Sequence, residues 1–219
     1  MTSKVYDWFN ERLGLTGIYD TVLDRKVPKV NWFFTLGSAS LFLFTMQAIT
    51  GIFLTIYYVP SPDKAYDSIV YIMNGAPFGW LIRGIHHWGA TLMVIFVFLH
   101  MLRTFYYAAY KYPRELTWVS GVILLLATLG MGFTGYLLPW NQKAYWATTV
   151  GTSIPGTVPL IGEFITQVLR GGTDLSGVTL VRFFSVHIWV LPAIIIAVIG
   201  LHIFLVIRLG IAGTPKKDD

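Results

Sequence analysis

The chain has 219 residues, 55% of them hydrophobic and 12% charged, whereas an ordinary soluble domain carries about 25% charged residues. That balance excludes a disordered chain and argues against a water-soluble fold. The net charge of +5 comes from basic residues that flank apolar runs, which is a membrane topology signal and gives no reason to expect nucleic acid as a partner. The absence of cysteine excludes disulfides, thiolate metal sites and iron–sulfur clusters.

In chain order, Val5, Trp8, Phe9, Arg12 and Leu13 predict a short amphipathic helix on a membrane surface, within an N-terminal segment over residues 1–31. Asp7, Glu11, Asp20 and Asp24 are not what a signal peptide carries. A hydrocarbon core about 30 Å thick needs about 20 apolar residues of helix, and four stretches provide them. The first runs from Phe33 to Tyr58 without a charge, and the second lies between Arg83 and Arg103. The third runs from Leu116 to Trp140, again uncharged, and the fourth lies between Arg182 and Arg208. Backbone groups in lipid must be satisfied within the segment, so each is read as a helix. The third connection, residues 139–181, is rich in Gly and Pro, and a loop of that length is usually functional. Its apolar pieces, Tyr145 to Val150 and Ile161 to Leu169, predict short interfacial helices. The fold expected is an all-α, four-transmembrane-helix bundle, forming one membrane domain over residues 1–219.

Charge sets the orientation. Eleven of the sixteen basic residues, among them Lys4, Arg12, Arg25, Lys26, Lys29, Arg103, Lys111, Arg114, Arg208, Lys216 and Lys217, fall on one side. Both termini are therefore expected on the cytoplasmic side, and the 139–181 loop on the external side. Helices one and three then run outward, and two and four run inward.

His86 and His100 lie 14 residues apart in the second span, and His187 and His202 lie 15 apart in the fourth. At 100° and 1.5 Å per residue, the first pair ends about 40° off register after about 21 Å of rise. The second pair ends about 60° off register after about 22.5 Å. Because the two spans run the same way, His86 faces the depth of His187 and His100 that of His202. A lone His in a membrane helix is ordinarily a hydrogen-bonding helix contact. Four at two matching depths point instead to two axial pairs for haem iron, stacked through the membrane. Structural zinc wants about four protein ligands, and two per level are too few. His87 points about 100° away from His86 and is read as structural or as a neighbour of a haem propionate.

Gly37 and Gly51 in the first span, and Gly121 and Gly135 in the third, are also 14 apart. These are the spans without histidine. A flat porphyrin can lie against a helix where the side chain vanishes, although Gly is also common in membrane helix contacts. Arg83 and Arg103 flank the His-bearing run, and Arg208 ends the fourth helix. Arg suits a carboxylate such as a haem propionate, and the same residues also suit snorkelling. Pro192 is expected to kink the fourth helix.

Lys4-Val-Tyr-Asp-Trp-Phe9, Phe78-Gly-Trp-Leu-Ile-Arg83, Pro113-Arg-Glu-Leu-Thr-Trp118, Thr134-Gly-Tyr136 and Arg182-Phe183, with the His and Gly registers, resemble the b6-type branch of the cytochrome b family. In Rieske/cytochrome b complexes that branch is the N-terminal half of a split cytochrome b. The resemblance covers nearly the whole chain. It implies two non-covalent b haems, the outer ligated by His86 and His187 and the inner by His100 and His202. Gly37, Gly51, Gly121 and Gly135 would pack on them. Phe133, Tyr136, Pro139, Trp140, Ala147 and Val150 would line part of the quinol oxidation pocket. Asp20 and Arg208 would lie near quinone reduction on the inner side.

The resemblance also implies the reaction. Quinol is oxidised outside, one electron passes to a Rieske iron–sulfur protein, and the other crosses through the two haems to quinone, with protons moved across the membrane. The chain would be one subunit of such an oxidoreductase and not a complete enzyme. Expected partners are the C-terminal cytochrome b half, a Rieske protein, a c-type cytochrome and membrane lipid, in a homodimeric complex. The family's Pro-Glu-Trp-Tyr segment belongs to the C-terminal half and is absent here.

Two departures refine the expectation. Photosynthetic b6 carries a Cys where Thr35 stands, so no covalent third haem is expected on this chain. Leu138-Pro-Trp-Asn-Gln142 resembles the Pro-Trp-Gly-Gln of respiratory cytochrome b more than the Pro-Arg-Asp-Gln of photosynthetic b6. A bacterial cytoplasmic membrane is therefore expected over a thylakoid. His87 stands where b6 commonly has Arg. The rival function is a haem b anchor that delivers electrons from a dehydrogenase to quinone, which would not need the long external loop. A cofactor-free scaffold or transporter bundle is the third reading, and it predicts no haem absorbance.

Overall fold

The computed structural model describes residues 2–13, 15–18 and 31–211. Asp20, together with Arg25, Lys26, Lys29, Lys216 and Lys217 of the topology argument, lies outside the described residues. The described residues fall into two units, one ending at Phe34 and one beginning at Thr35.

In the first unit, α1 (Thr2–Leu13) is followed by the short α2 (Leu15–Ile18). Asn10 joins them: its side-chain oxygen accepts from the Thr16 N–H at 2.6 Å and from the Thr16 hydroxyl at 2.8 Å. Val5, Trp8, Phe9 and Leu13 recur at helical spacing and stay exposed. Arg12 lies across the Trp8 ring at 4.3 Å and donates to the Trp8 carbonyl. The helix is thus amphipathic, as its sequence predicts, with an apolar face left uncovered.

The second unit holds the bundle, and no strand occurs among the described residues. Four helices are long and apolar enough to cross a membrane: Trp32–Thr55, Gly79–Tyr106, Glu115–Leu137 and Gly177–Leu209. The first contains α3 (Leu36–Thr55), entered through a 3₁₀ turn, Trp32–Thr35. The second is α5 (Gly79–Tyr106) and the third α6 (Glu115–Leu137). The fourth runs through α9 (Gly177–Ser185), a π-helical turn (Val186–Val190) and α10 (Leu191–Leu209). The disturbance expected from Pro192 takes the form of that π turn, directly N-terminal to it, and His187 stands within it.

Along their length α3 packs on α5, and α6 packs on α10, while α5 also meets α6. The second and fourth spans are not close-packed neighbours. In the most apolar window of the fourth span only 6% of the residues are buried, so most of that helix surface is left for lipid or other groups to cover.

One end of the bundle is capped by an element the sequence reading did not anticipate, α4 (Ala65–Asn74). Its Ala65 and Ile72 join Tyr58 and Leu180 in a buried cluster, with Leu138, Trp140 and Phe184 packed against it. The Tyr58 hydroxyl donates to the Leu138 carbonyl at 2.6 Å, and burial pushes its ionisation to higher pH. Gly79 lets the start of α5 approach the end of α4, because any side chain there would strike the Ile72 carbonyl.

The long connection contains the two helices expected in it, α7 (Gln142–Ser153) and α8 (Gly162–Arg170). Asn141 caps α7 by accepting from the Ala144 N–H at 3.0 Å. Arg170 ties the two helices together. It donates to Thr152 Oγ1 at 2.8 Å, Ser153 Oγ at 2.9 Å, and the carbonyls of Thr149 and Thr173. Thr179, fully buried on α9, donates to the Arg170 carbonyl at 2.6 Å. The connection is therefore a folded cap and not a loose loop.

Candidate functional site

Four imidazoles meet in the gap between α5 and the fourth span. The His86 and His187 ring centroids are 6.5 Å apart, and those of His100 and His202 are 6.4 Å apart. The pairing order shows that the two helices run the same way. A metal–imidazole nitrogen bond is about 2.0–2.1 Å. With the centroid lying just beyond that nitrogen, a linear nitrogen–metal–nitrogen axis sets centroids about 6.3 Å apart. Both gaps therefore fit one metal ion held by two axial imidazoles. Among the described residues, no group of three or more His, Asp or Glu gathers to hold a metal ion. Two ligands per level fit an iron whose other positions a porphyrin fills.

Each ring is backed by one of the four glycines. A Cβ added at Gly135 would stand 2.7 Å from His187 Cε1, and one at Gly37 would stand 3.0 Å from His100 Cε1. The matching distances are 3.2 Å from Gly51 to His86 and 3.5 Å from Gly121 to His202. The sequence reading set these glycines against a porphyrin face. Their immediate neighbour in the structure is the imidazole edge, so their first effect is to let α3 and α6 close on the rings.

Three of the rings are also held by a hydroxyl that precedes the glycine. Thr50 Oγ1, Thr134 Oγ1 and Ser120 Oγ each lie 2.9 Å from Nδ1 of His86, His187 and His202, respectively. All three side chains are buried. Each hydroxyl donates its one proton to its own helix: Thr50 to the Met46 carbonyl at 2.7 Å, Thr134 to Gly130 at 2.8 Å and Ser120 to Thr117 at 2.9 Å. It can then only accept from the imidazole. That assigns the proton to Nδ1 and leaves the Nε2 lone pair free, which is the tautomer a metal needs. Sequence reasoning missed these hydroxyls. The signal was there in Thr50-Gly51, Ser120-Gly121 and Thr134-Gly135.

Arg83 and Arg103 stand three residues beyond His86 and His100, one turn outward at each end of α5. Arg83 reaches Met73 Sδ at 3.5 Å, and the Arg103 guanidinium lies 5.1 Å from the Tyr107 ring. His87 is exposed beside Trp88, away from the rings. Arg208 is exposed near the end of α10, and Arg114 caps that end by donating to the Leu209 and Gly210 carbonyls at 3.3 Å.

The residues expected at a quinol pocket divide between two environments. Phe133 lies over Gly151 of α7, where a side chain would collide with its ring, and 6.1 Å from the Phe183 ring. Tyr136 and Val150 are exposed on α6 and α7, and Ala147 is half-buried beside them in sequence register. Trp140 turns the other way. With a left-handed φ of 49° it folds against the Tyr58 cluster and 6.0 Å from the Tyr145 ring. Pro139 is half-buried at the same turn.

Comparison with known proteins adds a lineage to this geometry. A family model described as cytochrome b/b6/petB matches residues 22–210. The chain is 42% identical to the menaquinol:cytochrome c reductase cytochrome b subunit of Geobacillus thermodenitrificans, over 97% of this chain and 99% of that one. It is 45% identical to the cytochrome b6 of Acaryochloris marina, over 96% and 99%. Among solved structures, it resembles a chain of a hyperthermophilic respiratory Complex III with a TM-score of 0.85 and 38% identity. That match covers 94% of this chain and 55% of the other, so the chain spans about half of that longer protein.

Proposed function

Because the chain belongs to the cytochrome b/b6 family, we propose that it carries electrons across a bacterial membrane on two b haems, from quinol oxidised on the outer side to quinone reduced on the cytoplasmic side. At the coarser level, it is a membrane-spanning electron-transfer subunit of a quinol:cytochrome c reductase-type complex. The observation that carries the finer reading is the pair of facing imidazoles at two levels, with ring centroids 6.5 and 6.4 Å apart.

When bound, haem supplies a reversible one-electron iron couple at each level. The chain's own residues do the rest. His86 with His187, and His100 with His202, would hold the iron through their ring nitrogens. Gly37, Gly51, Gly121 and Gly135 let the neighbouring helices close on those ligands. Arg83 and Arg103, one turn beyond His86 and His100, would offset the negative charge of the haem propionates. Thr35 offers no thiolate, and the chain has no cysteine, so attachment is non-covalent.

The connection from Pro139 to Val181 forms one wall of the quinol pocket. Phe133, Tyr136, Ala147 and Val150 supply its apolar and aromatic lining, while Pro139 and Trp140 fix the turn that places α7. Arg208, near the end of α10 on the side assigned to quinone reduction, would hold a ring oxygen or pass a proton there. A C-terminal cytochrome b half, a Rieske protein and a c-type cytochrome complete the complex, which is a homodimer. Release of protons outside and uptake inside couples the electron path to proton translocation.

The test is quinol-dependent reduction of cytochrome c by the purified complex, with and without an inhibitor of the outer quinol pocket. The proposal expects activity that the inhibitor abolishes. Quinol oxidation that ignores the inhibitor, or proceeds only through an attached dehydrogenase, would overturn it in favour of a membrane anchor.

A further inference from the structure

The four axial imidazoles are not held alike. His86, His187 and His202 each meet a buried hydroxyl at 2.9 Å through Nδ1. His100 meets none among the described residues, although its glycine, Gly37, backs the ring as closely as the others do. The residue before that glycine is Leu36, where the other three sites have Thr50, Ser120 and Thr134. The nearby Thr104 hydroxyl does not substitute, because it donates to the His100 carbonyl at 2.7 Å.

We propose that Thr50, Thr134 and Ser120 are positioning residues that set the donor strength and ring orientation of His86, His187 and His202, and that Leu36 leaves His100 without such a hydroxyl among the described residues, so that His100 is the weaker donor of its pair. This rests on the haem-ligand reading above. A hydrogen bond from Nδ1–H to an acceptor pushes electron density towards Nε2 and raises ligand basicity. A stronger donor favours ferric over ferrous iron and lowers the reduction potential. The His86–His187 level has two clamped ligands. The His100–His202 level has one, so its iron is the easier to reduce.

The potential of each haem can be read by optical redox titration of the purified complex. The two haems are told apart with His100→Ala, which removes one of them. Leu36→Ser puts a hydroxyl where the other three sites have one and is expected to move the His100–His202 haem to a more negative potential, leaving the other unchanged. Thr50→Val and Thr134→Val, near-isosteric with threonine, should move the His86–His187 haem to a more positive potential, and Thr50→Ser should restore it. Low-spin electron paramagnetic resonance should change in step with each shift, since the spectrum depends on the relative orientation of the two rings. If wild-type complex contains both haems and these variants retain them with unmoved potentials, the inference is wrong while the ligand assignment stands. If wild-type complex contains no haem, both fall together. Should Leu36→Ser fail to assemble, the two valine variants decide alone.

Discussion

The four glycines offer a graded test, because their distances to the rings differ. A Cβ at position 135 would meet His187 Cε1 at 2.7 Å, whereas one at position 121 would meet His202 Cε1 at 3.5 Å. Comfortable carbon–carbon contact is about 3.5–4.0 Å. Gly121→Ala therefore needs no movement, and Gly135→Ala must push the imidazole by about 0.8 Å. His187 cannot move that far and keep its 2.9 Å bond to Thr134. The cost combines overpacking of about 1–3 kcal/mol with loss of a buried hydrogen bond of about 1 kcal/mol. Gly37→Ala, at 3.0 Å, and Gly51→Ala, at 3.2 Å, fall in between. The assay is haem content per chain by pyridine haemochrome, with the melting temperature of the detergent-solubilised complex alongside. Gly121→Ala is expected to match wild type, and Gly135→Ala to lose haem from the His86–His187 level and melt earlier. Equal loss in both variants, or normal haem in Gly135→Ala, would refute the argument that the glycines serve the imidazoles.

Other outcomes follow from named contacts. His100→Ala should abolish the His100–His202 haem and leave the other detectable in a reduced-minus-oxidised spectrum; two intact low-spin haems would refute the pairing. Tyr58→Phe leaves the Leu138 carbonyl without its 2.6 Å donor and should cost about 1–3 kcal/mol of stability, read as a lower melting temperature at unchanged haem content. Arg170→Ala removes four hydrogen bonds between α7, α8 and the turn that follows. It should raise proteolysis within residues 142–170 and slow quinol oxidation while both haems remain. Unaltered cleavage there would show that Arg170 does not hold the cap.

The bundle was legible because lipid imposes it: uncharged runs near Phe33, Leu116 and beyond Arg182 have only one way to satisfy their backbones. The His pairing was legible because depth in a membrane helix is linear in residue number. The first span nevertheless ends at Thr55 and not Tyr58, because Tyr58 belongs to the buried cluster beneath α4. Helix α4 itself escaped notice because Pro60, Pro62, Asp63 and Lys64 read as punctuation, and its short Ala65–Ile72 face gains meaning only against Leu180. Thr50, Ser120 and Thr134 escaped for another reason. Hydroxyls are ordinary in membrane helices, and only the opposing ring shows what they hold. Arg170 gave no signal in the sequence, because its partners Thr149, Thr152, Ser153 and Thr173 come together only when α7 and α8 fold into the cap.

The most direct measurement is the haem-to-chain ratio of the purified complex, with the spin state read by electron paramagnetic resonance. The account predicts two haem b per copy of this chain, both low-spin with paired imidazole ligands. A colourless chain after expression with ample haem, or a single high-spin haem, would contradict it.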